Sequence, residues 1–260
     1  MITMGFISTA AGAASPQSSN QAGAAWQDDF AAGRVDVRRW VIANGRAPGY
    51  IPGYHIGYYR PVNVSVAGGY LALLLTQEIG AVDANPAGVV SRGALIYTKK
   101  KHGYGTYEWR MRMSSTATSP FGQGYPTSGS VSAGFIYVNN SQTEIDFEFS
   151  GLSLDTLYLV NWLNPDPTHD PAPDNQTYTA IWPFDSTSAF HNCRFVWKPG
   201  SISYYVDGVL KKVHTTNVPS APAHFMINHW GTDSPFWGGY ATIGTPRYFY
   251  VDWVKYTPLP

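Results

Sequence analysis

Residues 143–151 read TEIDFEFSG, and within them Glu144, Asp146 and Glu148 alternate with Ile145, Phe147 and Phe149. Successive side chains of a β-strand point to opposite faces, so this spelling predicts three acids on one face and three large apolar residues on the other. Like charges this close raise at least one carboxyl pKa, which suits a general acid that must stay protonated near neutrality. Hydrolysis of a glycosidic bond uses such an unequal pair: one carboxylate attacks the anomeric carbon and one carboxylic acid protonates the leaving oxygen. The third acid can hold a proton or a hydrogen bond between them. At ~3.3 Å per residue the Cα atoms of Glu144 and Glu148 stand about 13 Å apart, whereas the carboxyls of a retaining pair stand about 5–5.5 Å apart. Closing that gap requires long side chains leaning together over a curved sheet with a cleft on its hollow side. Two plainer readings of the spacing stay open, the solvated face of an ordinary strand and an oxygen-ligand site for a cation.

The rest of the chain must supply the sheet. Short alternating runs rich in β-branched and aromatic residues recur between turn signals: GGYLALLLTQE, GALIYT, GTYEWRMRM, SVSAGFIYV, TEIDFEF, DTLYLVNWL, FHNCRFVWKPG, SISYYVDGVLKKV, HFMINHW and RYFYVDWVKY. They predict an all-β, all-antiparallel sandwich or barrel. Lys198-Pro199-Gly200 and Val206-Asp207-Gly208-Val209 bracket SISYYV and predict consecutive hairpins. Three Pro- and Gly-rich stretches, residues 46–61, 119–129 and 164–176, read as long loops of the kind that shape binding sites.

Composition narrows the partners. The 260 residues suit one large domain over 26–260, preceded by an Ala-, Gly- and Ser-rich leader or signal remnant over 1–25. That leader lacks the basic start of a secretory signal. Net charge is zero and only 13% of residues are charged, so nothing draws the chain to nucleic acid or to an anionic membrane. Aromatics make up 15%, and a neutral, hydroxyl-rich glycan suits such a surface. The single cysteine, Cys193, can form no intrachain disulfide and reads as a small buried hydrophobe. The histidines show no metal-ligand spacing.

EIDFEF resembles the active-site signature of glycoside hydrolase family 16, and the resemblance extends through YTKKKHGYGTYEWRMRM and from FHNCRFVWKPG to YVDWVKY. It implies a β-jelly-roll sandwich of two curved antiparallel sheets with a concave substrate cleft. It also implies Glu144 as nucleophile, Glu148 as general acid/base and Asp146 as assisting acid in a retaining double displacement. The E-x-D-x-E spacing is similar to the unbulged branch of lichenases and xyloglucan endotransglycosylases, not to the bulged laminarinase spacing. Gln142 and Thr143, and the segment YIPGYHIGYYRP, depart from the lichenase pattern and leave the glycan open.

By the same resemblance Arg92, Tyr137, Asn161, Trp162, Asn228 and Trp230 line the cleft. No catalytic cofactor is implied, but Asp252, with carbonyls of Gly69 and near Asp29, is placed to hold a structural Ca2+. The expected protein is thus a secreted, monomeric endo-β-glucanase acting on β-1,3-1,4-glucan or a related β-glucan. A transglycosylase or endoglucanase acting on xyloglucan or β-1,3-glucan is the alternative enzyme, and a glycan-binding lectin on the same fold is the alternative of another class.

Overall fold

The computed structural model describes residues 24–260. The leader expected over 1–25 lies outside the described residues except for its last two positions. Nine strands precede the acid row: β1 (Trp26–Asp28), β2 (Trp40–Ile42), β3 (Gly45–Arg46), β4 (His55–Tyr59), β5 (Val64–Ala67), β6 (Tyr70–Val82), β7 (Asn85–His102), β8 (Gly105–Ser115) and β9 (Ser130–Val138). The row itself is β10 (Thr143–Ser150). After it come β11 (Leu157–Trp162), β12 (Gln176–Ile181), β13 (His191–Lys198), β14 (Ser201–Val206), β15 (Val209–His214), β16 (Ala223–Gly231) and β17 (Arg247–Pro258).

The strands form two layers. One runs β15-β14-β13-β8-β17, with β1 and the β6–β5 pair sharing the far side of β17. The other runs β12-β11-β10-β9-β16-β7, with β2 beyond β7. β6 and β7 join them, because residues 71–75 of β6 pair with β17 while residues 76–82 pair with β7. This is the jelly-roll sandwich, and its hairpins follow from local turn chemistry. Asp207 and Gly208, both at positive φ, make the two-residue connection of β14 to β15, as a type I′ turn requires.

The apolar half of each alternating run fills the space between the layers. Ile145, Phe147 and Phe149 of β10 are fully buried there with Trp109, Phe195 and Phe225. Phe147 meets Tyr204 edge-on at 5.5 Å, and the Tyr204 hydroxyl crosses the core to donate to the Val160 carbonyl at 2.6 Å. Gly134 on β9 lies opposite Phe147, and a Cβ there would stand 2.9 Å from Trp109 Cδ1. The absent side chain is what lets the tryptophan pack behind the acid strand.

Two expectations are corrected. The stretch 46–61, read as a loop, contains β4, which pairs with β7 in parallel, so the sandwich is not wholly antiparallel. Gly57 lets residues 47–48 lie close against β4: a Cβ there would meet the Pro48 carbonyl at 3.1 Å, a close approach that turn-like composition does not betray. β12 was also missed, because its sequence QTYTAI follows directly on a Pro-rich segment and is half-buried instead of alternating cleanly.

Candidate active site

β10 pairs in unbroken register, with no bulge, with β9 from Thr143 to Ser150 and with β11 from Glu144 to Phe149. Residues directly opposite in an antiparallel pair share a face. Glu144, Asp146 and Glu148 therefore share theirs with Tyr137, Phe135 and Ala133 of β9 and with Trp162, Val160 and Tyr158 of β11. One strand further, His224, Met226 and Asn228 of β16 continue the same face. A cavity of about 690 Å³ opens beside the row, lined by residues 41–46 and by side chains including Tyr59, Leu95, Tyr97, Tyr137 and Met226.

The row is not the solvated face of an ordinary strand. Glu144 and Asp146 are 7% and 2% exposed, and Glu148 keeps only an edge to solvent. Among the described residues no Lys or Arg forms an ion pair with any of them, and no acidic or His/Cys cluster is arranged to hold a metal ion. Burial without a counter-charge disfavours the ionised form. It pushes Glu144 up to about 7, against which a hydrogen bond from Ser141 acts. Burial and then the Glu144 charge push Glu148 up to about 8, with the Trp237 side chain holding it down. Asp146, between the two, is raised well above the carboxylate range by burial, Glu144 and Glu148, and its Oδ2 has no hydrogen-bond partner. Near neutrality the row therefore holds protons, and the Ser141 hydrogen bond favours the anion at Glu144. One ionised and one protonated carboxyl on the same face is the arrangement that nucleophilic displacement with acid assistance needs.

The turn before β10 positions the nucleophile candidate. Asn139, Asn140 and Ser141 all adopt positive φ, at 45°, 50° and 60°. Asn tolerates that region, and a run of three is costly enough to need external support. Asn164 gives it, donating its backbone N–H to the Ser141 carbonyl and its side-chain amide to the Asn140 carbonyl, both at 2.8 Å. The buried Ser141 hydroxyl donates to Glu144 Oε2. Ser141→Ala removes a hydrogen bond that favours the anion, so the Glu144 pKa is expected to rise by about one unit. A carboxyl 13C NMR titration reads this directly, and an unmoved pKa would remove Ser141 from the account.

The structure brings Tyr137, Trp162, Asn228 and Trp230 to the cleft side. The Tyr137 phenol is raised above its usual range by burial and by Glu144. Asn161 and Arg92 are not on this face. Asn161 lies opposite Ile145 and is fully buried, donating to the carbonyls of Thr216 and Asn217 and bonding His214 Nδ1 at 2.7 Å, so its role is structural. Arg92 precedes Leu95, which lies opposite Asn228, by three positions, and alternation turns it away. There it pairs with Glu78 at 2.5 Å on an exposed surface. Sequence reasoning missed Ser141, Tyr158, Trp237 and Tyr59. Trp237 comes from the loop after β16 and meets Tyr158 at 4.8 Å, a contact that no spacing in the sequence signals.

The expected calcium ligands are neighbours by register, Asp28 lying opposite Val254 and Leu71 opposite Val251. The one carboxylate, however, is already engaged: Asp252 Oδ2 accepts from Arg110 Nε at 2.9 Å. A guanidinium on the single charged ligand suits an Arg–Asp pair better than a divalent cation. Excess EDTA or added calcium is thus expected to move the melting temperature by less than about 2 °C. A larger rise with calcium alone would restore the site.

Comparison with known proteins places this geometry in a family. The family model for "Glycosyl hydrolases family 16" matches residues 58–255. A beta-glucanase of Paenibacillus polymyxa is 35% identical over 161 residues, 60% of this chain and 60% of that protein. One of Acetivibrio thermocellus is 31% identical over 207 residues, 77% of this chain and 54% of its own length. The match thus spans about 60% of the length of the first curated relatives. The solved structure of Bacillus licheniformis beta-glucanase superposes with a TM-score of 0.70 at 26% identity, covering 92% of this chain and all of that one. With a model match over most of its described length and a row of acids on one face of an unbulged strand, the chain belongs to glycosyl hydrolases family 16.

Proposed function

We propose that the protein is a retaining endo-β-glucanase that cuts β-1,3-1,4-glucan or a closely related β-glucan. The observation that carries this is the row itself, two buried carboxyls and a third at the edge of solvent, without counter-charge among the described residues, at alternate positions of one strand and in unequal surroundings. Beta-glucanase relatives on the same fold support the substrate class. A lectin has no use for such a row, which weakens the fold at neutral pH.

In the first step the Glu148 carboxyl donates its proton to the glycosidic oxygen while Glu144 Oε1 attacks the anomeric carbon, forming a glycosyl ester as the C–O bond breaks. Ser141 holds Oε2, so that one oxygen faces the sugar. Asp146 keeps a proton between the two glutamates and limits the charge they carry together. In the second step Glu148, now ionised, takes a proton from water; the resulting attack on the anomeric carbon expels Glu144 as carboxylate with net retention. Polymeric glucans do not cross membranes, so the enzyme acts outside the cell.

The direct test is reducing-end release with product sizing on mixed-linkage β-glucan, laminarin and xyloglucan. Cleavage of mixed-linkage glucan into short oligosaccharides is expected. Binding without release of reducing ends from any of the three would return the lectin reading.

A further inference from the structure

The cleft wall beyond the acid row carries three buried polar atoms that no described residue pairs with in hydrogen-bond geometry: the Tyr59 hydroxyl, Asn228 Oδ1 and Trp230 Nε1. Their residues are only 1–2% exposed. Buried polar groups are almost always paired, and three orphans in one wall call for an explanation. Asn228 and Trp230 belong to β16, while Tyr59 arrives from β4, the segment with loop-like composition. β4 runs parallel to β7 with Tyr59 opposite Gly93, where a Cβ would stand 2.1 Å from the His229 carbonyl. Only glycine allows β7 to approach β16 so closely, and that approach carries the Tyr59 ring into the cluster holding Leu95, Phe135, Tyr137, Met226 and Trp230. The phenol lies beside Asn228 without reaching hydrogen-bond geometry, has the Tyr137 phenol and the Glu148 carboxyl near it, and borders the 690 Å³ cavity.

The three atoms are chemically complementary to one kind of group. An indole N–H only donates, an amide oxygen only accepts and a phenol does both. A sugar hydroxyl can donate to Asn228 Oδ1 while accepting from Trp230 Nε1, and Tyr59 can take either remaining role. The apolar walls of Leu95, Phe135 and Met226 suit the carbon face of a pyranose. We propose that Tyr59 is a substrate-contacting specificity residue that reads a free hydroxyl on the sugar near Glu148, so that the cleft selects glycans unsubstituted at that position. This rests on the glycanase reading above.

Tyr59→Phe deletes the hydroxyl and keeps the ring. It is expected to lower kcat/KM on mixed-linkage β-glucan by about 10- to 100-fold, with an unchanged or higher melting temperature, because a buried orphan is removed. A merely structural tyrosine would show the opposite pairing. In a Glu144→Gln background, calorimetry with a β-1,3-1,4-linked glucotetraose is expected to show weaker binding when Tyr59→Phe is added. Activity within twofold of wild type, or a fall in melting temperature of more than about 5 °C accompanying the loss, overturns the assignment to Tyr59 alone. A wild type that neither cuts nor binds any of the three glucans overturns the glycanase reading and this subsite with it.

Discussion

Glu144→Gln is expected to lower kcat on glucan by on the order of 10⁴-fold or more while raising the melting temperature near pH 8. The loss follows from removing the attacking atom: an amide oxygen neither carries the charge nor forms a labile ester with the anomeric carbon. The gain follows from linkage. Burial holds Glu144 at about 7 in the folded chain against an ordinary value of 4.5. Between those values the folded state binds more protons than the unfolded state, so the contribution of this group to stability is full below about pH 4.5 and is lost as pH rises through about 7. By pH 8 the ionised glutamate costs the fold roughly 3 kcal/mol, shared with its neighbours. A neutral Gln removes that cost and is expected to raise the melting temperature by about 5 °C. Kinetics and calorimetry at pH 5 and pH 8 check both halves. An equal change in melting temperature at the two pH values would show that the row does not titrate as its burial requires.

Glu148→Gln is expected to lower kcat by about 10²- to 10⁴-fold on polysaccharide, with far less effect on an aryl glycoside whose leaving group needs no proton. In the wild type, activity should rise as Glu144 ionises near 7 and fall as Glu148 loses its proton near 8, a narrow bell whose limbs belong to the coupled row. The variant should lose the alkaline limb and keep the acid one. A persistent alkaline limb would move the general acid elsewhere, with Asp146 the only other carboxyl in the row. Both predictions depend on the absence, among the described residues, of any counter-charge within ion-pair distance, because a lysine or arginine there would hold both glutamates ionised and flatten the bell.

Much of the fold was legible because most strands are half-buried. Alternation in SVSAGFIYV and TEIDFEF matches β9 residue for residue and β10 to within one residue, and the hairpins around SISYYV follow from Gly200 and Gly208 at positive φ. Legibility failed where a strand obeys long-range contacts instead of its own pattern. β4 survives its glycine because β7 supplies a parallel partner, and β12 survives its Pro-rich entrance because β11 supplies an antiparallel one.

The site divides along the same line. The sequence by itself determined that Glu144, Asp146 and Glu148 share a face, since strand geometry has a period of two and the spacing leaves no other outcome in a regular strand. It determined the family as well, through a motif carried on that strand. Only the tertiary structure decided which residues face those acids. Asn161 and Trp162 are neighbours in sequence, yet one is locked into the core by His214 and the other lies opposite Glu144. Tyr59, Ser141 and Trp237 reach the row from three separate segments. Their positions depend on close backbone approach at Gly93, on a left-handed turn clamped by Asn164, and on a loop returning over β11. These are contacts between residues far apart in the chain, and local periodicity carries no information about which distant surface a side chain will meet.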